Sequence, residues 1–210
     1  MLGWLGVLAS AMLWQADDGG VVLNVPYRSQ LNGTPYALAN CGPASLSMVL
    51  AYYDIDSSLW DLRVRAMKAQ KSWVDDDGGY SHDYGVFVYN LATVAESMGL
   101  QVRGLWAREG NRIERLREWR AHDIRSAVSD AQPVILQVLF RALPGNAGSS
   151  YAWDHYIVVH GVVGERFVYS DPLDVRGGGP GRVISAEDLE YAMSKAKSPR
   201  AGFAVYRRSI

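Results

Sequence analysis

The sequence predicts an α+β domain with a mainly helical first half and an antiparallel sheet in its second half. Two observations carry this expectation. Apolar residues recur at helical spacing in three segments before residue 100, and beyond it the β-rich runs PVILQVLF, HYIVVHGVV and RFVYSDP follow one another across short turns. A chain of 210 residues, 49% hydrophobic and 20% charged, can bury a sizeable core and suits one domain. It has no internal repeat, and its one low-complexity stretch, Gly177-Gly178-Gly179, is too short for a linker.

The first fourteen residues, MLGWLGVLASAMLW, are uncharged and apolar. They are short for a bilayer span but suit a signal-peptide core, and Ala9-Ser10-Ala11 offers a small-residue cleavage pattern. The positive n-region of a secretory signal is lacking. Residues 1–20 are therefore expected to be a signal peptide or membrane-proximal segment, with residues 21–210 as the folded domain. That places the protein outside the cytoplasm, secreted or membrane-associated; the alternative is a buried N-terminal segment of a cytoplasmic protein.

After the break QADDGG, the run VVLNVPY at 21–27 predicts a strand ended by the polar SQLNGTP stretch. Asn40-Cys41-Gly42-Pro43 then opens a helix with Leu46, Val49, Leu50 and Tyr53 on helical spacing, and Pro43 suits its first turn. Residues 58–69 and 86–98 predict two more helices, with Gly99 as a stop. QVRGLW from 101 predicts a strand, residues 111–130 one or two charged helices, and PVILQVLF a core strand. HYIVVHGVV and RFVYSDP form a hairpin turning at Gly164-Glu165, and a helix near 186–195 precedes a last strand at 202–207.

Charge and cysteine content exclude several functions. With 21 basic against 22 acidic side chains the net charge is −1, so no overall field draws in nucleic acid. A single cysteine excludes an intramolecular disulfide and a zinc site of several thiolates. Asp75-Asp76-Asp77-Gly78-Gly79 with His82 and Asp83 lacks the alternate spacing of a calcium loop and reads as a solvated acidic loop. Neither a metal nor an organic cofactor is expected.

Cys41 is then either a buried apolar residue or a reactive thiol. A thiol attacks carbonyl carbon as thiolate, which the unpaired N–H groups of a helix N-terminus favour. Gly42, lacking a Cβ, either lets a substrate backbone pass close to the sulfur or merely starts the helix. The nucleophile needs a base, and histidine has the right intrinsic pKa. Of His82, His122, His155 and His160, His155 leads a strand, and alternation turns His160 to the opposite face. His160 is expected to be a packed sheet residue and His122 a surface one. The hairpin returns Asp171 beside His155, with Asp154 the other carboxylate in reach. Such a carboxylate fixes the imidazole tautomer, although Asp171-Pro172 is also a good turn pair. Gln30 and Asn40 are the two amides upstream of Cys41 that could stabilise an oxyanion. Trp73, Tyr80, Tyr84, Tyr151 and Trp153 line an aromatic cleft or are simply half-buried.

In combination NVPYRSQ, NCGPASLSMVLAYY, DHYIVVHGVV and YSDP resemble the family of bacteriocin-processing, double-glycine cysteine peptidases, and more closely its stand-alone relatives without a transporter. The resemblance spans roughly residues 22–173. It implies a papain-like fold, the helical half carrying the cysteine and the antiparallel sheet carrying histidine and aspartate. It implies Cys41 as nucleophile, His155 as base, Asp171 as its orienter and Gln30 as the oxyanion-hole amide. Transporter-attached members place that glutamine six residues before the cysteine; here Pro35 holds that place and Gln30 lies eleven before, so Asn40 or backbone alone are the substitutes. The implied reaction is hydrolysis of a peptide or protein substrate through a thioester, after glycine in the family's best-known case. Acyl transfer on the same triad and peptide binding without turnover are the competing readings.

Overall fold

The computed structural model describes residues 13–15, 20–70, 85–104, 106–109, 112–115, 118–174 and 179–208. In chain order the elements are β1 (Leu13–Gln15), β2 (Val21–Leu23), α1 (Cys41–Tyr52), α2 (Leu59–Gln70), α3 (Val88–Ser97), β3 (Gln101–Gly104), β4 (Trp106–Glu109) and β5 (Arg112–Arg115). They continue with α4 (Ala121–Ser129), β6 (Val134–Leu139), β7 (Asp154–Val163), β8 (Arg166–Ser170), β9 (Arg182–Ser185), α5 (Ala186–Ser194) and β10 (Gly202–Tyr206). The three helices expected before residue 100 and the hairpin in the second half are all present, giving the α+β arrangement.

An eight-stranded antiparallel sheet forms the second half, with β1 and β2 added from the N-terminal side. β7 is its organising strand. Val159 pairs with Val134 of β6 and Tyr169 of β8, while Val162 pairs with Val21 of β2 and Phe167 of β8. One edge of β7 is thus divided between β6 and β2, and the other belongs to β8. The hairpin turns after Val163, where Gly164 adopts φ 54, a left-handed conformation that glycine reaches without steric cost. Residues 155–162 of β7 are buried on both faces, which is why their sequence is apolar without alternation. α1 and α4 both pack on this strand.

α1 is the central helix, and all residues from Cys41 to Leu50 are buried. Leu46, Met48, Val49 and Leu50 are inaccessible to solvent, each worth roughly 1.5–3 kcal/mol against exposure. Pro43 stands in its first turn, where a missing N–H leaves no helical bond unmade.

Three expectations change. Residues 111–130 are not continuously helical: β5 pairs with β4 in a separate two-stranded sheet, and only Ala121–Ser129 is helix. Glu109 pairs with Arg112 and Trp106 with Arg115, so the charge spacing there belongs to antiparallel strands rather than to a helix. The strand expected over 21–27 stops at Leu23, where Val25 N–H turns back to the Leu23 carbonyl and Pro26 has no donor for a ladder. β9 is an additional strand, on the outer edge of β8.

Candidate active site

The end of β8 and the start of β7 lie together because the hairpin is antiparallel, and this brings Asp171 to His155. His155 Nε2 is 2.7 Å from Asp171 Oδ1, with both side chains buried. Asp171 is itself held. Its Oδ1 accepts the Leu173 N–H at 2.9 Å, its own N–H donates to the Gly179 carbonyl, and its carbonyl accepts from the Tyr27 hydroxyl. Burial alone would raise the carboxyl pKa. The bond and charge of His155, followed by the Leu173 N–H and Arg182, hold it below the ordinary carboxylate value.

For His155 the balance mirrors this. Burial disfavours the imidazolium, but the hydrogen bond to Asp171, then the interaction with Cys41, raise its pKa to about 9. Its other nitrogen, Nδ1, is buried and makes no hydrogen bond. Cys41 occupies the first position of α1 and is itself buried. The rings of Phe140 and Tyr151 stand edge-on to the imidazole at 5.1 and 6.0 Å, closing it off from water. The Tyr151 hydroxyl donates to the Leu38 carbonyl, and burial, then the charge at Cys41, push its pKa up.

Asp154, the rival carboxylate, faces elsewhere: it accepts from Gln137 Nε2 at 2.6 Å and from the Lys197 N–H. His160 is a sheet residue, bonded to the Leu23 carbonyl and the Ser170 hydroxyl, both at 3.1 Å, and burial lowers its pKa. His122 is a surface residue beside Asp123. Trp153 is exposed, with Lys197 Nζ 5.8 Å from its ring. Trp73, Tyr80, Tyr84, His82 and the acidic residues 75–77 and 83 lie outside the described residues. No group of three metal-ligating side chains occurs among the described residues.

The two amides differ in setting. Gln30 is fully buried; its N–H donates to the Pro172 carbonyl, beside Asp171, and its Nε2 to the Ala37 carbonyl, four residues ahead of Cys41. Its Oε1 is left without a hydrogen bond. Asn40 does not cap α1 with its side chain; its Oδ1 accepts from Arg63. Gly42 has a packing role. A Cβ there would meet Leu91 Cδ1 at 2.9 Å and Tyr156 Cδ2 at 3.3 Å, so the missing methyl lets α1 seat against α3 and β7. Arg63 is the residue that sequence reasoning missed. Its signal was a cation in line with Leu62, Ala66 and Met67 on the buried face of α2.

A helix carrying cysteine against a sheet carrying a buried histidine and aspartate defines a papain-like peptidase class of fold. The sequence pattern of the Peptidase_C39 like family matches residues 22–196, and the chain belongs to that family of peptidases. Among solved structures, a C39-like peptidase from Bacillus anthracis is similar at 20% identity and a TM-score of 0.62, over 92% of this chain and all of that one. A double glycine motif protease from an AMS/PCAT transporter, solved with the leader peptide, is 21% identical with a TM-score of 0.54, over 88% of this chain and 92% of that one. The peptidase domain of Streptococcus ComA, a bi-functional ABC transporter of a quorum sensing pathway, is 16% identical with a TM-score of 0.52, over 88% and 99%. A search of curated proteins finds no match.

Proposed function

We propose that the protein hydrolyses peptide bonds through Cys41, His155 and Asp171. The observation that carries this reading is the buried His155, tied through Nε2 to Asp171 at 2.7 Å while Nδ1 keeps no hydrogen bond and the ring interacts with Cys41. With Nε2–H donated to the carboxylate, Nδ1 is the nitrogen that takes up the thiol proton and holds it below about pH 9.

The proton of the Cys41 thiol passes to His155 Nδ1, and Sγ bonds the substrate carbonyl carbon. The resulting oxyanion is met by the first N–H groups of α1, which have no helical acceptor, and by the Gln30 amide. Collapse breaks the C–N bond, and His155 Nδ1–H protonates the departing amine. Water then attacks the thioester, gives its proton to Nδ1, and the C–S bond breaks to release the acid and restore the thiol. The similar protease bound to a leader peptide favours a peptide substrate here, with cleavage after glycine the specificity to try first.

We place residues 1–11 as the part removed on export. Cleavage after Ala11 would leave β1, Leu13–Gln15, paired with β2. Among the described residues no helix is long and apolar enough to cross a membrane. N-terminal sequencing of the exported protein tests that placement.

The activity test is labelling with iodoacetamide followed by intact mass, comparing wild type with Cys41→Ala and His155→Ala, then cleavage of a glycine-containing peptide library. Rapid labelling at Cys41 that weakens without His155, with library cleavage that Cys41→Ala abolishes, is the expected result. Labelling indifferent to His155 would overturn the reading.

A further inference from the structure

Arg63 has no exposure to solvent, although it carries the strongest fixed charge a side chain offers. Buried cations need compensation, so the groups around it matter. Its Nη1 donates to the Ala39 carbonyl and to Asn40 Oδ1, both at 3.3 Å, and its guanidinium lies 4.8 Å from the Tyr36 ring centroid. Tyr36, Ala39 and Asn40 all belong to the short stretch that runs directly into Cys41. A charge carried by the second helix is thus fastened to the two residues that precede the sulfur of the first.

The amide of Asn40 is oriented by this contact. A guanidinium donates only, so Oδ1 faces it and the NH₂ end is turned away as a donor. Burial lowers the pKa of Arg63, while the charges at Tyr36 and Cys41 act in the opposite direction.

We propose that Arg63 is a positioning residue of the reaction, locking the turn at residues 39–40 and holding a buried positive charge against the turn that leads into Cys41. The inference rests on Cys41 being the nucleophile. A neutral thiol gains little from that charge, whereas a thiolate and a tetrahedral oxyanion gain from it in a medium of low dielectric. Arginine suits the place because its guanidinium stays charged when buried and its fork of donors reaches both Ala39 and Asn40.

Two variants separate charge from hydrogen bonding. Arg63→Gln keeps donors for Ala39 and Asn40 without the charge, and Arg63→Lys keeps the charge without the fork. The readouts are the rate of iodoacetamide alkylation of Cys41 and the division between kcat and KM on a cleaved peptide, with cooperative thermal unfolding as the check on folding. We expect Arg63→Gln to slow alkylation more than about tenfold and to lower kcat rather than raise KM, and Arg63→Lys to stay within about threefold of wild type. A folded Arg63→Gln protein that alkylates at the wild-type rate, or Arg63→Lys as slow as Arg63→Gln, would overturn the proposal. Should Arg63→Gln fail to fold, Arg63→Lys decides alone: within threefold supports it, tenfold slower overturns it. If instead wild type is alkylated slowly and His155→Ala changes nothing, the nucleophile assignment is what fails.

Discussion

His155 and His160 share one strand, and both are buried, yet their proton affinities move in opposite directions. His155 has a carboxylate at 2.7 Å and is raised to about 9; His160 sits between a backbone carbonyl and a hydroxyl and is lowered. Both rings lose water. Only one gains a buried anion in exchange, and an imidazolium survives desolvation only beside such a partner. Burial alone therefore does not make a base of a histidine. The fold raises the proton affinity of His155 by returning the Asp171 end of β8 to the start of β7, while it leaves His160 facing neutral oxygen atoms.

The widest gap between the two positions should appear in turnover. His155→Ala is expected to lower kcat/KM on a cleaved peptide by about 10³-fold or more, and His160→Gln by no more than about threefold. Steady-state kinetics on the two folded variants check this, and comparable losses would mean that the strand's faces had been assigned wrongly. Next in size is Asp171→Asn, expected to reduce kcat about 10²- to 10⁴-fold with a much smaller change in unfolding temperature. In wild type the alkaline limb of kcat/KM should fall near pH 9, as His155 loses its proton. Without the Asp171 carboxylate that limb should move to lower pH, and a limb that stays in place would remove Asp171 from the pair.

Stability sharpens the other side of the comparison. His160→Leu leaves the Leu23 carbonyl and Ser170 hydroxyl unpaired and should cost about 1–3 kcal/mol in denaturant unfolding, without a change in kcat. The lowered pKa of His160 also predicts a sign: its contribution is fully present above its ordinary value of 6.5 and is lost as pH falls from there through the lowered folded-state pKa. Equilibrium unfolding of His160→Gln between about pH 7.5 and 5.5 should therefore lose less stability than wild type does. The smallest effect is expected at Asp154→Asn, which keeps an acceptor for Gln137 and Lys197 and should leave kcat/KM within about threefold of wild type.

Much of the geometry around His155 was legible because a hairpin converts sequence order into position. Once HYIVVHGVV and RFVYSDP pair antiparallel, Asp171 must come back near His155, and alternation sends His160 away. Helical spacing likewise put Cys41 at the start of α1. Strand geometry alone left the choice between Asp154 and Asp171 to the family resemblance, because it depends on Gln137 and the Lys197 N–H claiming Asp154 from elsewhere. The packing of Gly42 was hidden for a similar reason: its neighbours Leu91 and Tyr156 come from distant parts of the chain. Charge spacing in residues 111–130 fits a helix as well as paired strands, and spacing alone does not tell the two apart. Arg63 was hidden in an ordinary amphipathic helix until α2 was seen to bury it under the start of α1.

The Tyr27 hydroxyl and the Asp171 carbonyl it bonds are 144 residues apart in sequence. During synthesis, at 5–20 residues per second, Cys41 therefore leaves the ribosome on the order of ten seconds before His155 and Asp171 follow. Through that interval the nascent chain carries a thiol with no base beside it, and the strands that bury it have yet to be made. Under the proposed mechanism the nascent chain cannot attack peptides near it, its own included, until Asp171 has been translated. Synthesis of the β7–β8 hairpin is then the step that switches that chemistry on.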